Sequence, residues 1–209
     1  MTWLAVLVPD HDESVERYRP LATELTAAGA VVAALTGPLV PDFEGAVDRL
    51  AAVVDGHAGP PVVLVGHAVG GMIVVRYAQR YPDRAAALVL SAPVLGPWPM
   101  LDLLSGNEIP AGPLDRAALA AIEECLSTID FDHPLGDDLP ALWVHGADDP
   151  RVPMADTRAG LDRVRGLGFE ELIVPEAGHD LIDEPAVRAE VVRFAAQATG
   201  GASASAAGD

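Results

Sequence analysis

Val62-Val63-Leu64-Val65-Gly66-His67-Ala68-Val69-Gly70-Gly71 is the stretch that decides how this chain folds. Four consecutive aliphatic residues have the composition of a central strand buried on both faces. The small residues after them make a sharp turn, and an apolar helical pattern then runs from Val69 to Arg80. A strand, a tight turn and a helix in that order form the local architecture of a nucleophile elbow. The central residue of such a turn is held in a strained conformation with its side chain above the sheet. Gly66 and Gly70 leave room for neighbouring backbone, and the helix brings its first amides toward developing negative charge. Here the central residue is Ala68. A methyl group has no lone pair to attack with and no proton to relay.

Outward from the elbow, short apolar runs alternate with helical patterns, as in the βαβ units of a parallel sheet. Residues 3–8, 31–35, 61–65, 86–91, 141–145 and 170–174 read as strands. Helices are expected over 13–28, closed by Gly29; from the cap Asp42 toward Asp55; and over 69–80, 154–165 and 185–198. Between Pro93 and Leu139 the rhythm breaks into prolines, glycines and one acidic helix near 115–127. The expected organisation is one α/β domain over 1–199, with a short cap at about 93–139 and a disordered Gly/Ser/Ala tail at 200–209.

Composition excludes several roles. Half of the 209 residues are apolar, enough for a sizeable core. The net charge is −18 and every one of the 13 basic residues is arginine, so no basic face exists to track nucleic-acid phosphates. No apolar run is long enough to span a bilayer. The first eight residues lack a basic leader and reach Pro9 and Asp10 too early for a secretory segment. Cys125 alone allows no internal disulfide, which fits a reducing cytoplasm, the expected location.

Two further stretches share the elbow's logic. Trp143-Val144-His145-Gly146-Ala147-Asp148-Asp149 ends a strand in an acid-bearing turn, and Val174-Pro175-Glu176-Ala177-Gly178-His179 ends another on a histidine. Elbow, then Asp149, then His179 is the chain order of a hydrolytic triad built on a parallel sheet.

These motifs resemble the α/β-hydrolase superfamily, and more narrowly its monoacylglycerol lipase-like, lysophospholipase-type branch (the serine aminopeptidase-like group). The elbow is similar to that branch's Gly-His-Ser-Met-Gly-Gly. Similarity continues through Arg76-Tyr77-Ala78-Gln79-Arg80-Tyr81-Pro82 and Leu88-Val89-Leu90-Ser91-Ala92-Pro93. Glu13 and Arg17-Tyr18 stand where the branch has a Gly-Glu-His-Ser-Gly-Arg-Tyr segment. Two regions are shorter than in the branch: the loop reduced to 36–40, and the cap.

The resemblance implies an α/β-hydrolase fold and hydrolysis of a small or lipid-like carboxylic ester, with no cofactor and no metal. It places the acid at Asp149, the general base at His179 and the oxyanion amides at Val69 and His11. Trp98 and Leu101 become candidate wall residues for an acyl chain, alongside Met100, Leu103, Leu104 and Ile109. The nucleophile position falls on Ala68, and Asp10 replaces a glycine of the oxyanion loop, setting a carboxylate where negative charge should form. Losing a catalytic serine removes ~10⁶ in turnover. A single deliberate Ser→Ala exchange would leave the oxyanion loop intact, so the double departure favours natural loss.

Three roles therefore stand open: an inactivated ester hydrolase, a non-catalytic module that keeps a lipid-like ligand, and acid/base chemistry through His179 and Asp149. Asp10, His11, Asp12 and His67 are expected on one rim, where N/O ligands could hold a divalent metal in place of having drifted. Ser14 and Ser91 read as capping or loop serines, and Cys125 as a packing residue. His57, His133 and His145 read as surface, loop and strand-end positions.

Overall fold

The computed structural model describes residues 2–200 except 58, 60, 96–119, 121, 125, 128, 130–134, 136–138, 165 and 166. Trp98, Leu101 and the other apolar cap candidates, together with Cys125, His133 and the tail after Gly200, lie outside the described residues.

Six strands form one sheet: β1 Trp3–Val8, β2 Ala30–Ala34, β3 Val62–His67, β4 Ala87–Ser91, β5 Leu139–Gly146 and β6 Leu167–Val174. Their order is β2-β1-β3-β4-β5-β6, and every pairing is parallel. Strand alternation divides the core in two. Leu4, Val6, Leu64, Leu88, Leu90 and Trp143 face one layer, which packs on α2 (Phe43–Asp55), α3 (Val69–Arg80) and α4 (Met154–Leu161). Trp3, Leu7, Val63, Val65, Val89 and Val144 face the other, which packs on α1 (Arg19–Ala27) and α5 (Pro185–Ala198). The fully buried run of β3 is thus sandwiched by both layers, as its composition requires. Among the described residues no helix is long and apolar enough to cross a membrane.

The sheet has the six strands expected from the sequence, with ends shifted by up to three residues, and the larger departures have local reasons. The helix expected over 13–28 is broken. Ser14 Oγ accepts from the Glu16 amide at 3.3 Å and starts a 3-10 turn, Val15–Tyr18. Helix α1 begins only at Arg19, with Pro20, which has no amide to donate, in its first turn. This break leaves Glu13 free to turn inward. Helix α4 ends at Leu161, four residues early, because the Arg163 and Val164 amides bond three residues back and tighten its end. Strand β6 starts three residues early. Among the described residues it pairs only with β5, as an edge strand, and its exposed Glu170 and Glu171 interrupt the apolar signal. The cap at Asp42 is as expected: Oδ1 accepts from the Gly45 amide at 3.1 Å.

Candidate active site

The loops that leave the C-terminal ends of β1, β3, β5 and β6 meet at one edge of the sheet. At its centre, Ala68 lies between β3 and α3 with φ 46° and ψ −110°. That conformation is steeply unfavourable for any residue with a Cβ, and it persists only where surrounding structure imposes it. The surroundings here do so. The Ala68 amide donates to the Ser91 carbonyl at 3.0 Å, and the Ala68 carbonyl accepts from Gly71 at 3.0 Å and Val94 at 3.2 Å. A Cβ on Gly66 would stand 2.5 Å from the Gly70 carbonyl oxygen, and one on Gly70 would stand 2.1 Å from that of Val8. Neither position accepts a side chain, and this closeness presses the start of α3 against the end of β1.

That approach delivers Asp10 to the elbow. Asp10 Oδ1 accepts the Val69 amide at 3.1 Å and the His11 amide at 2.8 Å, and His11 Nδ1 lies 3.1 Å from the same oxygen. These are the two amides expected to bind an oxyanion. Both converge on one point, and a carboxylate oxygen of the chain itself occupies it. Burial opposes the charge on Asp10, but the hydrogen bond and positive charge of His11 outweigh it and hold the carboxyl below its ordinary value. Burial likewise opposes the charge on His11, and Asp10 raises its imidazole above its ordinary value.

Asp149 and His179 are brought together. His179 Nδ1 lies 2.8 Å from Asp149 Oδ2, and both side chains are buried. Asp149 Oδ1 accepts from the Arg151 amide at 2.8 Å and the Val152 amide at 3.0 Å. Burial raises the Asp149 carboxyl, but the His179 contact and these amides bring it below its ordinary value, so it stays an acceptor. The ring nitrogen that faces Asp149 is Nδ1, and a neutral ring with its proton there would carry a lone pair on Nε2. Nε2 is buried and has no hydrogen-bond partner among the described residues. A hydroxyl at position 68 is the partner a triad would supply.

Five residues here, Glu13, Arg17, Tyr18, His67 and His145, carry more than the sequence disclosed. Glu13 Oε2 lies 2.9 Å from His67 Nδ1 and accepts from Tyr18 Oη at 2.5 Å. Arg17 donates to Glu13 Oε1 at 2.7 Å and bridges to Asp180 and Asp183 at 3.0 and 2.5 Å. The Glu13 and Arg17-Tyr18 match to a family segment was the only signal of this network. His145 is fully buried rather than a plain strand-end residue: it accepts from Trp143 Nε1 at 3.2 Å and donates Nε2–H to the Val152 carbonyl at 2.9 Å. Burial lowers its imidazole below the ordinary value.

Asp10, His11 and Asp12 each offer a ligand atom within 4.8 Å of the others. Their charges are already answered, however. Arg151 Nη2 stands 3.7 Å from both Asp10 Oδ2 and Asp12 Oδ2, and Asp10 Oδ1 is committed to two amides. Ser91 is a buried strand-end residue whose Oγ has no partner among the described residues, and Ser14 is a cap. Beside Asp10, a cavity of about 220 Å³ is lined by His11, Glu13, Leu35, Thr36 and Leu39, below the usual volume of a ligand pocket.

Comparison with known proteins agrees with this architecture. The chain is 26% identical over 234 residues to the monoacylglycerol lipase of Mycolicibacterium smegmatis, covering 87% of this chain and 82% of that protein. The crystal structure of Paleococcus ferrophilus monoacylglycerol lipase superposes with a TM-score of 0.68 at 19% identity, covering 95% of each chain. Est1E from Butyrivibrio proteoclasticus superposes with a TM-score of 0.72 at 18% identity, covering 95% of this chain and 89% of that one. These likenesses establish the α/β-hydrolase fold. A family model for serine aminopeptidase S33 matches residues 2–130, a span that includes β1, the loop after it and the whole elbow. The chain belongs to the serine aminopeptidase S33 family.

Proposed function

We propose that this protein is a relative of carboxylic-ester hydrolases that has lost serine-hydrolase turnover and keeps the site as a binding framework. One observation carries the reading: alanine stands at the strained apex of the elbow, whose His67 ring lies against the His179 of a buried His–Asp pair, and the outer nitrogen of that pair has no partner among the described residues. Asp149, His179, Val69 and His11 then hold the positions of acid, base and oxyanion amides without a nucleophile to serve. The carboxylate of Asp10 on both amides supports the same conclusion, because it repels the charge that an acyl-transfer intermediate must develop. Monoacylglycerol lipases among the relatives point to a lipid-like ester or its acyl group as the ligand class. A lone cysteine is compatible with a cytoplasmic setting.

The test compares the wild-type chain with His179→Ala on 4-nitrophenyl butyrate and on a monoacylglycerol. Equal rates within twofold are expected. A loss of tenfold or more in the variant would overturn the silent reading. It would support the second one, in which His179, still oriented by Asp149, draws a proton from water or substrate without a protein nucleophile.

A further inference from the structure

Beneath the His179–Asp149 pair lies a second carboxylate–imidazole pair that has no counterpart in the chemistry above. His67 is 2% exposed, in the elbow itself. Its Nδ1 lies 2.9 Å from Glu13 Oε2, and its Nε2 lies 3.2 Å from the backbone carbonyl of His179. Neither partner can donate. A carbonyl oxygen only accepts, and Glu13 already receives hydrogen bonds from Tyr18 and Arg17. A neutral imidazole would turn a lone pair on one of these oxygens, and the ring is buried.

We propose that His67 is an imidazolium that donates from both nitrogens, and that with Glu13 it acts as a positioning pair that holds His179 in place. The consequence is mechanical. The pair ties the loop after β1 to the loop after β6 through the elbow, and the His67 and His179 rings lie against each other at 4.6 Å between centroids. Arg17 repeats the tie from outside through Asp180 and Asp183. No part of this brace uses the side chain at position 68, which explains how the His179–Asp149 pair stays formed opposite an alanine.

The groups facing His67 agree on balance with its charge. Glu13 and Asp10 come from the loop after β1, His179 from the loop after β6 and His145 from β5. Burial works against the imidazolium, but the Glu13 hydrogen bond and the charges of Glu13 and Asp10 raise it above its ordinary value. Glu13 moves the other way: burial opposes its charge, and His67 and Tyr18 bring it below the usual carboxylate range.

Nitrogen-15 NMR of histidine side chains in the full chain tests this at pH 8, where a free imidazole is only about 3% protonated. The expected spectrum shows one imidazole, assigned by its loss in His67→Gln, with both ring nitrogens protonated. In Glu13→Gln, which keeps the shape and removes the charge, that ring should be neutral at pH 8. The downfield His179 Nδ1 proton should then survive at pH 6 but vanish at pH 8, whereas the wild type keeps it at both. A part that is merely structural would not make that loss depend on pH. Should a variant fail to fold, the wild-type spectrum still decides. No doubly protonated ring at pH 8 overturns the proposal, and so does a Glu13→Gln spectrum identical to wild type.

Discussion

Restoring a serine at position 68 should be nearly useless unless Asp10 is removed as well. The magnitude follows from the geometry. A triad serine is worth ~10⁶ in turnover, and each oxyanion donor ~10²–10³. Both donors, the Val69 and His11 amides, are spent on Asp10 Oδ1 at 3.1 and 2.8 Å. Ala68→Ser alone therefore faces a penalty of at least ~10⁴ and should gain no more than ~10² over wild type. Asp10→Gly alone should gain less than tenfold, since it frees a hole with no nucleophile beside it. The double variant should exceed Ala68→Ser by ~10⁴, which leaves a coupling of about 4–5.4 kcal/mol once the gain of Asp10→Gly is subtracted. The assay is kcat/KM on short-chain 4-nitrophenyl esters for all four proteins, with thermal unfolding to confirm that each is folded. If Ala68→Ser alone matched the double variant, the carboxylate would not be filling the hole in solution, and the argument would fail.

Two further outcomes follow from the same residues. Ala68→Gly should stabilise the fold by about 0.5–2 kcal/mol, since glycine escapes most of the strain at φ 46° and ψ −110° and gives back part of the gain as chain entropy; a loss above about 1 kcal/mol in urea unfolding would contradict the strain. The Glu13–His67 pair should also make stability depend on pH in a defined window. Glu13 is depressed, so its contribution is complete above its unfolded value of 4.5 and fades as pH falls below it. His67 is raised, so its contribution is complete below its unfolded value of 6.5 and fades as pH rises through the folded value. The difference in urea midpoint between wild type and Glu13→Gln should thus peak between pH 4.5 and 6.5 and shrink on both sides. A difference constant from pH 3 to 10 would count against the pair.

Much of the fold was legible because the decisive signals are local. The run Val62–Val65 is apolar on both faces, the elbow sets Gly66, Ala68, Gly70 and Gly71 close together, and Asp149 and His179 each follow a recognisable strand. Asp10 could be flagged from type alone, since a carboxylate is the wrong charge for an oxyanion loop. Its contact with both amides depends on how closely Gly70 lets β1 approach, which only tertiary packing reveals. Glu13 was hidden inside an amphipathic stretch that read as continuous helix, and Pro20 fits the first turn of a helix as well as a break before it. His67 and His145 looked ordinary because their partners are 54 and 7 residues away. An isolated histidine carries no sign of its burial.

The most direct test of the central claim is intact-mass spectrometry of the wild-type chain after exposure to a fluorophosphonate, a reagent that needs an activated serine oxygen beside a triad histidine. The wild type should keep an unshifted mass, and the Ala68→Ser/Asp10→Gly protein should gain a single adduct. An adduct on the wild-type chain that depends on His179 would show a working nucleophile elsewhere in the site and contradict the account.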